Sequence, residues 1–425
     1  MKKLLAVLLV LAFAAVPAMA DDALDVSGSM RIEAYSISNE AFNDDDARDR
    51  QNWDQRFRLQ LKMQPADGVM AVFRSDLNET QWSGSSDQGS SGARPSFGTA
   101  GEMMIDRAYL SVDRGMVNVT GGRNAYNLGM GHAYNNQDTG VQLTIKTPLA
   151  IRIGFVKESE TNFGTDDPAT THDETLSDDQ DLGTEDIDQY YVDFGFKTDA
   201  FGINLFYAMQ VDGDEDRAEE PTLLGAMGSF AIGPVNVKAE IDLFGGSAGS
   251  GAAERDYTGM QFYADASMAL SDMLTVGADF VYSDGNDSTD ETKIVGMPRA
   301  VFGDYIYTDN RLGGPNPGEM EPLDNDIFSV DPEDADAGAL GIGPYIVYKP
   351  IADLEIGAGI RYLMGNEDID TVDNMLIYQV GVTWAMAPST QLQLQYVGIN
   401  LDADDDYAGE YEDYSGVGLV LAVDF

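Results

Sequence analysis

The chain has 425 residues, in which 73 acidic side chains stand against 25 Lys and Arg, a formal net charge of −48, and it contains no cysteine. Such a polyanion excludes nucleic acid as a partner on electrostatic grounds. The missing thiols exclude disulfides, lipoprotein anchoring, c-type haem attachment and thiolate metal sites.

At the N-terminus, Met1-Lys2-Lys3 leads into the apolar run Leu4–Val16 and then Ala18-Met19-Ala20. A basic start, a short hydrophobic core and an A-x-A site predict a secretory signal peptide over 1–20, removed before Asp21. Its removal takes Lys2 and Lys3 away and the net charge to −50. No later stretch approaches the roughly 20 apolar residues that a membrane helix needs. An exported chain without one can still be integral, because a closed barrel satisfies its backbone groups internally.

Period-2 segments bounded by turn residues fill the rest. Eighteen are expected, near 24–38, 53–65, 68–81, 102–114, 116–128, 138–147, 149–160, 187–198, 201–212, 221–232, 235–245, 257–270, 273–284, 339–349, 353–365, 374–387, 390–402 and 413–425. Most have the length a tilted strand needs to cross a bilayer. The connections alternate in character. One set is tight, from Pro65-Ala66-Asp67-Gly68 through Arg114-Gly115 and Gly233-Pro234 to Pro388-Ser389. The other is longer and mostly acidic, with acids massed in 44–49, 166–186, 212–220, 284–291, 324–336, 367–373 and 402–413.

Eight tight turns and nine longer loops supply the connections that eighteen strands require, and both termini fall on the tight-turn side. Short periplasmic turns and long external loops are the asymmetry of outer-membrane barrels. The expected fold is therefore all-β, a transmembrane antiparallel barrel over 21–425 with eighteen strands, sixteen or twenty being compatible with the same pattern. The segment Gly285–Gly338 is the irregularity. Its centre, Ile294–Tyr307, is too apolar for a loop in water and is expected to fold over or into the mouth.

A charge on the lipid face costs about 2–4 kcal/mol at mid-membrane, so clean alternation assigns the interior. With Phe57, Leu59, Leu61 and Met63 toward lipid, Arg56, Arg58 and Lys62 turn inward. The same parity brings in Arg31, Arg74, Arg107, Lys146 and Arg152, with Glu33 and Asp76. Arg123 shares the parity of Val117 and Val119, but Gly121-Gly122 suggests a bulge that flips the register and places Arg123 inside. Later strands carry inward acids instead: Asp193, Glu240, Asp242, Asp265, Asp279 and Glu355, with Lys238 and Arg361 as exceptions. A basic wall facing an acidic one would set a transverse field across the lumen. The plainer alternative is that these charges pair along the wall and keep the lumen wet.

At the C-terminus every odd position from Val417 to Phe425 is apolar, and the last residue is aromatic. This resembles the closing strand of Gram-negative outer-membrane barrels, which implies recognition of Phe425 by the barrel-assembly machinery. Asp54-Gln-Arg56-Phe-Arg58-Leu59, Asp106-Arg107-Ala-Tyr109-Leu110 and Gly122-Arg123-Asn-Ala-Tyr126-Asn-Leu-Gly129 resemble, in their order, bacterial porins and alginate-export-type barrels. The resemblance covers about the first third of the chain and the last strand. It implies a diffusion channel whose inward arginines form the constriction.

Catalytic chemistry is thin. The two histidines, His132 and His172, fall in or beside predicted loops, and neighbouring aspartates on a loop are poor grounds for a catalytic pair. Asp284–Glu291 and Asp212–Asp216 lack the spacing of an EF-hand loop and read as solvated acidic loops. No enzyme activity, metal or cofactor is expected. The reading is an outer-membrane porin for small hydrophilic solutes or ions, in contact with membrane lipid and lipopolysaccharide, as a monomer or homotrimer. Its rivals are a selective channel for an anionic substrate such as a sugar acid, and a structural barrel that sheathes an extracellular partner.

Overall fold

The structure, a computed structural model, describes residues 24–38, 50–81, 104–159, 187–212, 219–249, 255–285, 293–295, 338–365, 372–403 and 413–425. The expected signal peptide, His172, most of Gly285–Gly338 and most of the acidic segments lie outside them.

Alternation is realised as strand throughout, with no helix among the described residues. The strands are β1 (Leu24–Ser38), β2 (Arg50–Ala66), β3 (Val69–Gln81), β4 (Met104–Asp113), β5 (Val117–Asn127), β6 (Asn135–Ile145), β7 (Leu149–Ser159), β8 (Ile187–Lys197) and β9 (Phe201–Asp212). There follow β10 (Glu219–Ile232), β11 (Val235–Ala248), β12 (Arg255–Ser271), β13 (Leu274–Ser283), the three-residue β14 (Lys293–Val295), β15 (Ala339–Ile351), β16 (Leu354–Met364), β17 (Val372–Ala387), β18 (Thr390–Ala403) and β19 (Tyr414–Asp424). Every strand but β14 pairs antiparallel with its neighbours, β13 pairing directly with β15 and β19 returning to β1. Eighteen strands thus close into a barrel, as the alternation predicts. The extra β14 lies parallel to β12 along Asp256–Thr258, beyond the last β12–β13 partners, and so adds to the rim without entering the barrel.

Closure matters because an open edge in lipid would leave backbone groups without partners. Here the last residue completes it: Gly28 N–H donates to the Phe425 carbonyl at 2.9 Å and Phe425 N–H to the Gly28 carbonyl at 3.0 Å. Tight turns gather at the end that holds both termini. Gly68 and Gly233 adopt φ of +69° and +59° there, a conformation costly to any residue with a Cβ.

The outer face carries the apolar stripes. In β19, Val417, Leu419 and Leu421 are exposed while Val420 is buried on the inner face. Exposed aromatics form two belts. Phe196, Phe201, Phe230, Tyr348 and Trp384 stand near the turn ends, and Trp53, Tyr190 and Tyr362 near the loop ends. Aromatic girdles flanking an apolar band suit the two interfaces of a membrane.

Candidate functional site: the barrel interior

Two bulges shape the basic side of the lumen. Between β2 and β3, Phe57 pairs with Asn78 and Arg58 with Asp76, so Leu77 is the extra residue. Between β3 and β4, Arg74 pairs with Arg107 and Ser75 with Ile105, so Asp106 is extra. A bulge re-aims a side chain out of strict alternation, and Asp106 accordingly enters the arginine cluster. It contacts Arg74 directly and lies 4.0 Å from Arg58 Nη2. Arg58 forks onto Asp76, with Nε to Oδ1 at 2.6 Å and Nη2 to Oδ2 at 2.7 Å. Arg31 contacts Glu33 beside it, and Arg31 pairs across with Arg56. Arg107 Nε has no hydrogen-bond partner among the described residues. Lys62 follows the same inward parity nearer the turn end.

The opposite wall is organised by a loop. Leu128–Tyr134, which joins β5 to β6, folds inward, with Leu128, Ala133 and Tyr134 fully buried. They pack on inward side chains of β7 to β11, including Val156, Tyr191, Phe206, Leu223 and Phe244, and Met130 reaches a second apolar cluster around Tyr263 and Val281. Met130 N–H donates to Glu240 Oε2, and the His132 ring lies 4.5 Å from that of Tyr263. Gly129 is required here: its φ is +55°, and a Cβ would collide with the Glu240 carboxylate and the Phe206 ring. The wall makes room in kind, since a Cβ at Gly154 would strike the Tyr191 ring.

The inward acids of β8 and β11 have little contact with the open lumen. Asp193, Glu240 and Asp242 are only 2%, 1% and 1% exposed. Asp193 accepts from Arg152 Nε at 2.6 Å and from Asn204 Nδ2 at 3.1 Å. Asp242 accepts from Gln261 Nε2 at 3.0 Å. Asp279 receives both nitrogens of the Arg361 fork at 3.1 and 3.0 Å. Asp265 accepts from Tyr345 Oη at 3.0 Å, and Glu355 pairs with Lys349 at 2.6 Å toward the turn end. These acids are therefore consumed by partners or covered, as the plainer alternative to a transverse field requires.

Two expectations need correction. The pairing of β5 with β4 and β6 is unbroken through Gly121–Arg123, so no bulge flips Arg123. Gly122 instead takes φ of +125°, and Arg123 Nη1 reaches Asp138 Oδ1 at 3.1 Å. Lys146 stands past the end of β6, half-exposed at the turn-side rim and paired with Asp113, because its strand ends at Ile145. Leu128–Tyr134 folds inward without having been expected to, while the fold expected of Gly285–Gly338 lies outside the described residues except for Gly285, β14 and Gly338. Sequence reading missed the loop because it has no period. Its signal is a run of Leu128, Met130, Ala133 and Tyr134 without one acid, among otherwise acidic loops. Asp106 was missed because a bulge has no mark in alternation.

A family model described as Gram-negative porin matches residues 6–297. No curated protein matches the chain. Among solved structures, Pseudomonas aeruginosa OccK9 (OpdG) is similar with a TM-score of 0.60 at 14% identity, over 95% of this chain and 98% of that one. OccK3 (OpdO) of the same organism gives 0.57 at 12%, over 97% and 98%, and Acinetobacter baumannii OccAB4 gives 0.55 at 12%, over 96% and 100%. At such identities the likeness is one of fold.

Proposed function

The chain belongs to the Gram-negative porin family, whose members are outer-membrane channels for small solutes, and from that premise we propose a water-filled pore that leans toward anions. The carrying observation is an asymmetry of access. Arg58 and Arg74 keep 23% and 18% of their side-chain surface exposed, while Asp193, Glu240 and Asp242 are buried in the opposite wall, Glu240 against Met130 of the inner loop. Solutes pass between the loop and the basic wall of β1 to β4. A low-dielectric wall strengthens the field of those arginines at the point where the passage is narrowest.

Small hydrophilic solutes diffuse passively, and carboxylates are the class that a forked guanidinium would retain longest. A selective channel for an anionic substrate such as a sugar acid is the second reading, favoured by Arg107 Nε, which has no hydrogen-bond partner among the described residues. The His132 ring packs on that of Tyr263, and the family is one of channels, so we read a channel and not a catalyst.

The orientation we infer puts tight turns and both termini in the periplasm and the acidic loops outside. Residues 1–20 are the export signal, the barrel-assembly machinery receives Phe425, and lipopolysaccharide surrounds the external half. Whether one barrel or a homotrimer conducts is read from the number of conductance steps. The test of the reading is steady single-channel conductance of purified protein in planar bilayers under a salt gradient. At molar salt the reversal potential should indicate anion preference. Cation preference there, or no conductance, would overturn it.

A further inference from the structure

The hairpin of β5 and β6 leaves the barrel wall on both sides at one level. β4 and β5 pair from Asp113 with Asn118 as far as Ala108 with Arg123 and then part, although β4 runs on to Met104 and β5 to Asn127. On the other side β6 and β7 pair only as far as Thr139 with Lys157. Beyond these rows the two strands keep only each other, Asn124–Asn127 against Asn135–Asp138. The tip turns inward as a unit and carries Leu128–Tyr134 onto the inner faces of β7 to β11. Side chains seat it there. Asn136 Nδ2 donates to Gln189 Oε1 of β8 at 3.0 Å, and the rings of Tyr126 and Tyr134 lie 6.5 and 5.6 Å from that of Tyr191.

The row below the parting is a pair of glycines, Gly122 facing Gly140. A Cβ at Gly122 would strike the Ala108 carbonyl of β4, and one at Gly140 the Phe155 carbonyl of β7. The wall closes tightly around this pair and opens directly above it, which confines the bend to one row. The edge that β5 abandons is ready to take it back. With the register of Ala108 and Arg123 continued, Arg107, Asp106, Ile105 and Met104 fall opposite Asn124, Ala125, Tyr126 and Asn127, so the two strands end together. A side chain now stands in on that edge, Gln137 Nε2 donating to the Asp106 carbonyl at 3.2 Å.

We propose that the tip of this hairpin is a gate with two seats, the inner one against β8 to β11 and an outer one in the wall, where Asn124–Asn127 zip onto Met104–Arg107 and draw Leu128–Tyr134 out of the lumen. Each seat supplies what the other gives up: backbone pairs in the wall, burial of Leu128, Ala133 and Tyr134 inside. Packed elements with two discrete arrangements switch between them instead of deforming continuously. Widening of the passage in the outer seat rests on the pore reading above; the two seats themselves do not.

Cysteine pairs in this cysteine-free chain trap each seat in the full barrel. Met104→Cys with Asn127→Cys should form a disulfide under mild oxidation, because facing residues of a ladder stand within bridging distance. Asn136→Cys with Gln189→Cys, joined by a short bis-methanethiosulfonate, should hold the inner seat. Heat-modifiable migration on gels confirms that each barrel is folded, and peptide mass spectrometry measures the bridge without any current. In planar bilayers the outer trap should raise single-channel conductance several-fold. The inner trap should abolish wild-type steps to that upper level, and reductant should reverse both effects. A folded barrel in which the 104–127 bridge does not form overturns the outer seat, and a bridge that forms with conductance unchanged overturns the gate. If the outer pair does not fold, the inner trap decides, and a wild-type record with no upper level for it to remove overturns the gate. Absence of all current in the unmodified chain counts against the pore reading, while the yield of the bridge still decides between one seat and two.

Discussion

The ring of Phe425, the last residue, stacks on that of Phe57 in β2 with centroids 5.8 Å apart and planes 19° from parallel. Phe425 does not pair with β2 at all. It pairs with Gly28 of β1, and its side chain reaches past that strand to the next. A Cβ at Gly28 would meet the Phe425 ring, so this glycine opens the way across. The terminal aromatic therefore locks the closing seam over two strands.

Truncation of Phe425, or Phe425→Ser, should impair assembly more than conductance. An aromatic pair adds about 0.5–1.5 kcal/mol beyond its buried area, a small share of a finished barrel but a large one of the last step that closes it. Outer-membrane levels measured against whole-cell protein should fall several-fold, whereas barrels that do assemble should conduct like wild type. Normal levels of the variant would remove Phe425 from the closing step.

Glu240 holds the inner loop through Met130, so changing it should widen the pore. Leaving the part-buried Met130 N–H without its acceptor costs about 1–3 kcal/mol, which corresponds to roughly a 5- to 150-fold shift in loop position. Glu240→Ala should give larger and noisier single-channel currents, and Glu240→Gln, which still offers an acceptor, a weaker effect. Gly129→Val should reproduce the alanine phenotype from the loop side. Unchanged currents in all three would mean that the apolar contacts of Leu128 and Tyr134 hold the loop alone.

Selectivity should follow the Arg58–Asp76 pair in both directions. At about 1 M salt the screening length is about 3 Å, so acids on solvated loops are nearly silent and wall charges are not. Arg56→Gln with Arg58→Gln should move the reversal potential toward cations at molar salt, and Asp76→Asn should move it toward anions. Shifts confined to low salt would place these residues away from the constriction.

Arg361 and Asp279 meet across β15, over Gly343, where a Cβ would crowd the carboxylate. Both are nearly buried, at 11% and 5% side-chain exposure. Breaking such a pair costs about 3–5 kcal/mol because it strands a charge, while replacing both partners costs far less. Urea unfolding in detergent should rank Arg361→Met below the Arg361→Met, Asp279→Leu double variant. The reverse order would show that the pair is not the source of the stability.

Orientation can be read in this cysteine-free chain by single cysteines at Ser177, in an acidic segment, and at Ser389, in a tight turn. A membrane-impermeant maleimide should label only the former in intact cells. Equal labelling would contradict the inferred topology.

Alternation alone determined the strands, their order and the apolar stripe of Val417, Leu419 and Leu421, because a strand's two faces follow from a period of two residues. It could not reveal that Asp106 bulges into the arginine cluster, since one extra residue changes register without changing composition. Nor could it reveal that Leu128–Tyr134 covers Glu240, a contact between residues 110 positions apart. Arg361 and Asp279 are likewise 82 positions apart and lie on strands that do not pair. Such relationships exist only once eighteen strands close and curve, because curvature brings the inner faces of separate strands toward one another. The walls were legible from local pattern, and what fills and neutralises the space between them was decided by closure.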